Sequence, residues 1–132
     1  MTPPLHLSRL SVTLGDATVV HLEASVNAGE VLTLMGPSGS GKSTALAAII
    51  GTLQPPFRQS GRIWLDGRDI TALPTEARRI GIMFQDDLLF PHLSVGGNLA
   101  FALPRGVKDR ARTIDRALAE AGLEGFAPRD PA

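Results

Sequence analysis

The nine residues 36–44, GPSGSGKST, constrain what this chain can fold into more than any other stretch does. They follow a nearly continuous apolar run over residues 31–35 and precede a second apolar run over residues 45–50 that ends at Gly51. A short apolar run bounded by turn residues is typical of a strand buried on both faces. The second run is consistent with a buried helix that a glycine ends. The sequence therefore predicts a strand, a tight glycine-rich loop and a helix in direct succession.

The spacing inside this stretch is Gly, four residues, Gly, Lys, then Ser or Thr, which is the phosphate-binding P-loop pattern. A polyphosphate needs several donors from a backbone that comes close, and Gly36, Gly39 and Gly41 permit that approach and positive φ angles. Neighbouring N–H groups then form an anion nest, to which a helix beginning near Lys42 adds its positive dipole end. The predicted binding residues are Gly36, Pro37, Ser38, Gly39, Ser40, Gly41, Lys42, Ser43 and Thr44.

Three of these residues have individual roles in the prediction. Lys42 is expected to reach the β- and γ-phosphates, Ser43 to ligate Mg²⁺ through its hydroxyl, and the backbone of Thr44 to contact the α-phosphate side. The alternative is an ordinary Gly/Ser-rich turn. The four matched positions and the flanking apolar runs favour the phosphate site.

Length and composition limit the other possibilities. The 132 residues suffice for one small domain, and 43% hydrophobic content is close to the globular norm. Thirteen basic and thirteen acidic side chains cancel, so no nucleic-acid partner is expected, and the lack of cysteine excludes disulfides and thiol catalysis. No apolar run approaches the ~18 residues of a membrane span, and residues 1–7 lack a secretory pattern. We therefore expect any membrane role to depend on a partner.

Periodicity predicts the remaining elements. We expect two strands at residues 10–14 and 20–26 with a turn at Gly15 and Asp16, and a further turn at 27–29. After the helix we expect a loop at 54–61, a strand at 63–65, a turn at Asp66 and Gly67, and a strand at 79–84. An irregular loop at 86–93 and an amphipathic helix at 108–121 that ends at Gly122 complete the prediction.

Three segments in this order resemble the ATP-binding subunits of ABC transporters. They are the P-loop, SGRIWLDGRDIT at residues 60–71, and IGIMFQDDLLFPHLSVGGNLAFAL at residues 80–103, which is similar to the family's Q-loop segment with a helix after its LFPH-type stretch. The resemblance implies an α/β P-loop NTPase core with an N-terminal antiparallel β portion over residues 1–85. It also implies that the start of a helical subdomain follows over residues 86–132.

The resemblance also implies roles and partners. Gln85 would be the Q-loop glutamine, which contacts Mg²⁺ or the attacking water and links the nucleotide site to the permease, with Asp86 and Asp87 near that contact. The expected ligands are ATP and Mg²⁺. The expected partners are a transmembrane permease, a second ATP-binding subunit that helps to sandwich ATP and, for an importer, a solute-binding protein. The location would be the cytoplasmic face of the membrane, and the LFPH-type segment is most similar to importer subunits.

Two departures from the family pattern matter. Leu14 occupies the position where members usually stack adenine on an aromatic side chain, which puts nucleotide affinity in doubt. The signature sequence, the Walker B strand with its catalytic Glu and the switch His are expected beyond Ala132. We therefore expect residues 1–132 alone to bind MgATP weakly and to hydrolyse it negligibly.

Other interpretations of the sequence stay open at this point. One is a small P-loop kinase or GTPase with Asp66 on Mg²⁺, although neither Asn27 nor Asn98 begins a guanine-reading Asn-Lys-x-Asp motif. Another is a non-catalytic nucleotide-binding module. Residues 93–98 only partly match the signature sequence, and residues 63–66 partly match a Walker B strand. The three histidines, His6, His21 and His92, share no metal-ligand spacing.

Overall fold

The computed structural model describes residues 4–132, so part of the N-terminal segment considered above lies outside the described residues. The described chain forms two compact units, one extending to Ile82 and the other running from Met83 to Ala132. Within residues 4–132, none of the helices has the length and apolar character that a membrane span requires.

The first unit contains a four-stranded antiparallel sheet with the order β2-β1-β3-β4. Its strands are β1 (Leu5–Leu14), β2 (Ala17–Val26), β3 (Phe57–Leu65) and β4 (Arg68–Asp69). The predicted first hairpin is confirmed, with its turn at Gly15 and Asp16, and so is the turn at Asp66 and Gly67 between β3 and β4.

Strand β3 is longer than the sequence predicted. The expectation of a loop over residues 54–61 is wrong from Phe57 onward, because the polar start of β3 pairs with the far end of β1. Phe57 and Gln59 are half-buried while Arg58 and Ser60 are exposed, which is the alternation of a strand with one solvated face. A bulge interrupts the pairing at Gly61, where an added Cβ would lie 2.2 Å from the Arg9 carbonyl oxygen. Only glycine fits this approach.

Helix α1 (Lys42–Ile50) packs on the inner face of the sheet and confirms the predicted buried helix. It ends at Gly51, whose φ of 87° is in the left-handed region and whose N–H donates to the Ala47 carbonyl. The core around it is formed by Leu7, Leu10, Val12, Val20, Ala45, Ala48, Ile49, Ile63 and Ile70.

Two predicted strands do not form. Residues 31–35 and 79–84 have no strand pairing within residues 4–132, and Val31, Met35 and Met83 are 91%, 89% and 94% exposed. A strand buried on both faces needs neighbours on each side, and the sheet of the described chain offers these segments no such place. Arg79, with a φ of 56°, instead ends the short helix α2 (Thr75–Arg78), which the sequence analysis did not predict.

Arg78 is the buried charged residue of the first unit, at 5% exposure. Its guanidinium donates to four carbonyl oxygens, those of Leu73, Thr71, Ala48 and Ile49, at 2.8–2.9 Å. The last two belong to the final turn of α1, where carbonyls lack helical partners and the helix dipole favours a cation. Burial lowers the pKa of Arg78 from its ordinary value.

The second unit contains α3 (Val95–Ala102) and α4 (Arg110–Glu120) after an irregular segment that confirms the loop predicted at residues 86–93. Each helix has a side-chain N-cap: Ser94 accepts from the Gly97 N–H, and Asp109 accepts from the Arg112 N–H. The α4 helix is the amphipathic helix predicted at residues 108–121. It begins two residues later than predicted because Asp109 serves as the cap.

Candidate functional site

The glycine-rich loop is a tight turn that leads directly into α1. The Ser40 N–H donates to the Pro37 carbonyl at 3.2 Å, and Gly39 and Gly41 have φ angles of 82° and 88°. Side chains other than glycine rarely adopt such angles, so the two positive φ values explain two of the glycines in the pattern. The predicted order of loop and helix is therefore confirmed, although the strand before it is not.

Close packing against backbone also requires glycine at position 41, and a nearby side chain makes Gly36 a tight position. A Cβ on Gly41 would lie 2.8 Å from the Val19 carbonyl oxygen and 2.8 Å from a methyl group of Val20, both on strand β2. A Cβ on Gly36 would lie 2.7 Å from Ser40 Oγ. The loop is thus seated against β2 at one end and folded on itself at the other, which fixes its curvature.

The side chain of Lys42 folds back over the loop. Its Nζ donates to the carbonyl oxygens of Gly36 and Pro37 at 2.7 and 2.8 Å, and to Ser40 Oγ at 3.3 Å. All three partners are neutral oxygen atoms, so none of them is a carboxylate paired with the ammonium. The sequence places this lysine in the motif, and the structure places its charge on the inside of the turn.

The first turn of α1 supplies backbone donors next to this charge. The Ala45 N–H is bonded to the Gly41 carbonyl at 2.8 Å, and the N–H groups before it belong to the helix end that has no intrahelical acceptors. Ser43 is exposed and Thr44 is half-buried on this turn. The start of α1 and the ammonium of Lys42 thus belong to the same short loop, and a helix N-terminus with a cation beside it is the arrangement that anion sites use.

The residues present fit Mg²⁺ only in a limited way. Residues 4–132 contain no group of three or more His, Cys, Asp or Glu side chains arranged to hold a metal ion. The exposed hydroxyl of Ser43 is a hard oxygen donor of the kind Mg²⁺ accepts. Because Mg²⁺ in nucleotide sites keeps waters and substrate phosphates as ligands, one protein hydroxyl is a sufficient contribution from this loop.

The other sequence candidates are distributed over both units. Gln85 lies in the second unit, in an exposed bend with Asp86, and Asp87 beside them is also exposed. Asp66 lies in the tight turn between β3 and β4, with its N–H donating to the Pro4 carbonyl. Leu14 is the last residue of β1 and is 43% exposed.

The stretch that partly matched the signature sequence forms a helix start instead. Ser94 caps α3, and the N–H groups of Val95 and Gly96 donate to the carbonyls of Arg129 and Ala127 at 2.9 and 2.8 Å. A side chain at Gly96 would be tightly packed, since an added Cβ would lie 3.0 Å from the Ala127 carbonyl oxygen. Packing within the second unit therefore accounts for this glycine.

One feature of the site is not predicted from the sequence. A groove of about 300 Å³ lies along α1 on the side of Ser43 and Thr44. Its other lining residues are Ala47, Thr52, Leu53, Gln54, Pro55 and Phe57. No local sequence signal marks this groove, because the position of Phe57 depends on the pairing of β3 with β1. A second groove, of about 310 Å³, borders Ser40, Gly41 and Lys42 and is lined otherwise by β2 residues, Leu34, Met35 and Ala45.

Comparisons with known proteins agree with this geometry. The chain is 44% identical to the uncharacterised ABC transporter ATP-binding protein YnjD of Escherichia coli K12, over 97% of this chain and 60% of the relative. It is 42% identical to the thiamine import ATP-binding protein ThiQ of a Jannaschia species, over 96% of this chain and 55% of the relative. It is also 42% identical to the spermidine/putrescine import ATP-binding protein PotA of Nitrosomonas europaea, over 96% of this chain and 36% of the relative.

A solved structure gives the same result. A bacterial Atm1-family ABC exporter with ATP bound superposes with a TM-score of 0.69 and 28% identity, over 98% of this chain and 24% of the exporter chain. The chain thus spans about 60% or less of the relatives it matches. The ABC transporter family profile matches residues 19–132. None of these matches supports a small P-loop kinase or GTPase, and the chain belongs to the ABC transporter family.

Proposed function

We propose that residues 36–44 bind the triphosphate of ATP and that the chain is the nucleotide-binding part of an ABC importer's ATPase subunit. The observation that carries the proposal is the position of Lys42 Nζ, held at 2.7–2.8 Å from two carbonyls of its own loop beside the start of α1. An ammonium with neutral partners at a helix N-terminus has the charge and the directed donors that a polyphosphate needs.

The roles within the loop follow from the chemistry of each residue. Lys42 neutralises the β- and γ-phosphates, and the N–H groups of Gly39 and of residues 41–44 bind the remaining oxygens. The Ser43 hydroxyl is the protein's ligand for Mg²⁺, which supplies charge neutralisation during phosphoryl transfer when it is bound. Gln85 acts as the Q-loop glutamine, on Mg²⁺ or the attacking water.

The relatives guide the proposal about transport. Two of the more similar relatives are named as import ATP-binding proteins, at 42% identity, whereas the exporter structure is 28% identical. Import is therefore the better supported direction. The partners would be a transmembrane permease, a second ATP-binding subunit and a solute-binding protein, with the subunit at the cytoplasmic face of the membrane.

We also propose that the β portion and the P-loop core extend to Gln85, and that the Q-loop and the start of the helical subdomain follow from Asp86 to Ala132. The division of the described chain between Ile82 and Met83 lies three residues before that boundary, which supports it.

The test uses the only two lysines of the chain, Lys42 and Lys108. Isothermal titration calorimetry with MgATP is run on the purified wild-type chain, on Lys42→Ala and on Lys108→Ala. Hydrogen bonds to charged groups contribute about 1.5–3 kcal/mol, so Lys42→Ala should raise the Kd about 10–100-fold. Lys108 is exposed beside the cap of α4, and Lys108→Ala removes the same charge from the chain without touching the loop. It should leave the Kd unchanged.

Equal loss of affinity in the two variants would mean that net charge, and not the loop, drives binding, and would overturn the proposal. A saturable binding heat that is the same for the wild type and for Lys42→Ala would also overturn the proposal. Release of phosphate is followed in parallel. Steady hydrolysis by residues 1–132 alone, abolished by Lys42→Ala, would contradict our expectation that this chain holds no catalytic base.

A further inference from the structure

We propose that Phe57 is the stacking platform for the base of the bound nucleotide, which lies in the groove along α1. This inference rests on the proposed function, since it concerns the same nucleotide. It assigns a specificity role to the first residue of β3, a strand that takes no part in phosphate binding.

The groove is continuous with the phosphate loop. Ser43 and Thr44 belong to the P-loop pattern and also line the groove, which runs from them past Ala47 to Phe57. A nucleotide whose phosphates lie on the loop therefore has a recess next to them on the same unit. The volume of about 300 Å³ is at the lower end of the range for small-molecule sites, which suits one base and part of its ribose.

The position of Lys42 decides between the two grooves beside the loop. Lysine reaches the β- and γ-phosphates in this pattern, whereas the base is attached through ribose at the α-phosphate end. The groove lined by β2 residues borders Lys42 itself, at the terminal-phosphate end. The groove with Phe57 does not border Lys42 but does border Thr44, whose backbone is expected on the α-phosphate side, and this is the end from which ribose and base emerge.

Phe57 is suited to hold a planar ring. It pairs directly with Leu14 across β1 and β3, so both side chains lie on the same face of the sheet. Phe57 is half-buried and packs against the core, whereas Leu14 is 43% exposed and aliphatic. Because Phe57 packs against the core and also lines the groove, its ring can take a planar partner with little further ordering of the side chain.

The chemistry of the groove agrees with a base as its occupant. Half of its eight lining residues are apolar, and the exposed amide of Gln54 and the hydroxyl of Thr52 are among its polar groups. Stacking of a base on an aromatic side chain contributes about 1–3 kcal/mol and tolerates different bases. The groove therefore predicts affinity for the base with limited discrimination between purines.

The experiment separates the base from the phosphates. The Kd values for MgATP and for magnesium tripolyphosphate are measured calorimetrically on the wild-type chain, Phe57→Leu, Phe57→Tyr and Leu14→Ala. Phe57→Leu keeps an apolar side chain of similar volume, so the fold should be retained, and thermal unfolding verifies this. Wild type should bind MgATP more tightly than tripolyphosphate, by about 5–100-fold if the base stacks.

Phe57→Leu should remove most of that difference by weakening MgATP alone, and Phe57→Tyr should restore it. Leu14→Ala should change the Kd for MgATP less than about 3-fold. An equal loss for both ligands in Phe57→Leu would show a structural role, and a selective loss in Leu14→Ala would place the base at the first hairpin. Either result overturns the inference, whereas binding of both ligands by the wild type would still support the proposed function. Failure of the wild type to bind either ligand would instead overturn the proposed function.

Discussion

Arg78 shows how one residue connects parts of the first unit that are distant in sequence. Its guanidinium joins the carbonyls of Ala48 and Ile49 at the end of α1 to those of Thr71 and Leu73 beyond β4. Close by, Thr75 Oγ1 donates to the Gly51 carbonyl at 2.8 Å. The carbonyls at the end of α1 are therefore satisfied by side chains from around α2, which holds the far end of the P-loop helix in place.

We predict that Arg78→Lys lowers the free energy of unfolding by about 2–3 kcal/mol. A lysine ammonium cannot reproduce the planar fork of donors, and buried carbonyls would be left without partners. Arg79→Lys is the matched control, because Arg79 is the next residue and is exposed. Urea denaturation followed by circular dichroism measures both variants. Equal effects of the two substitutions would contradict the role assigned to Arg78.

The residues of the loop could be predicted from sequence, whereas Arg78 and Phe57 could not. The P-loop pattern places its glycines and lysine within nine consecutive residues, so their geometry is determined by local backbone requirements. Arg78 contacts carbonyls 29 and 30 residues away, and Phe57 depends on pairing with Leu14. Such relations arise only when the sheet forms, and a single sequence does not specify them.

At the scale of elements, strand pairing determined which of the predicted strands are present. Strands of the first hairpin and the short strand at residues 63–65 were predicted correctly, because alternation is a local signal and their partners lie within the sheet. The apolar runs at residues 31–35 and 79–84 carry an equally strong signal for a buried strand. They form none, since a strand depends on neighbours as well as on composition.

Asn98 organises the loop before α3. Its Nδ2 donates to the carbonyls of Phe90, Leu93 and Ser94 at 3.1–3.2 Å, and its Oδ1 accepts from the Phe90 N–H at 2.8 Å. One amide side chain thus holds both ends of residues 90–94 against the first turn of the helix. The aromatic contact of Phe90 with Phe101, at 4.6 Å between ring centroids, supports the same arrangement.

We predict that Asn98→Asp releases this loop while α3 and α4 persist. A carboxylate cannot donate to three carbonyl oxygens and would be repelled by them, and the loss should amount to about 2 kcal/mol. Hydrogen exchange monitored by NMR should show faster exchange of the Phe90 N–H by about 30-fold. Ser94→Ala is the control, since it removes only the helix cap and should cost about 1 kcal/mol without freeing Phe90. Unchanged protection of Phe90 in Asn98→Asp would refute this assignment.

At the scale of the whole molecule, the described chain exposes large apolar side chains along both unpaired segments. Val31, Met35 and Met83 are each about nine-tenths exposed. Outside these segments, Leu88 and Phe101 are 69% and 70% exposed. Surfaces of this kind normally lie against another protein or promote association. The composition, with equal numbers of acidic and basic groups, adds little charge repulsion to prevent it.

We predict that the purified chain self-associates with increasing concentration and that Val31→Lys reduces this association. The substitution removes apolar surface that contributes about 25 cal/mol per Å² when it is covered. Thr33→Lys is the control, because it adds the same charge at an exposed polar position of the same segment. Sedimentation velocity over a range of concentrations distinguishes the variants. A wild-type chain that remains monomeric throughout, or equal effects of both lysines, would contradict the prediction.

The bonds of Lys42 determine how the chain responds to an incoming anion. The ammonium already donates to two carbonyls and a hydroxyl. Binding of a phosphate therefore exchanges these oxygen acceptors for phosphate oxygens, and the side chain does not first have to be ordered from solvent. Little rotamer entropy is lost in such a step. The lysine side chain is therefore already positioned for its ligand. Salt screens the attraction between the ammonium and the phosphate, so added salt should mainly lower the fraction of encounters in which the exchange takes place.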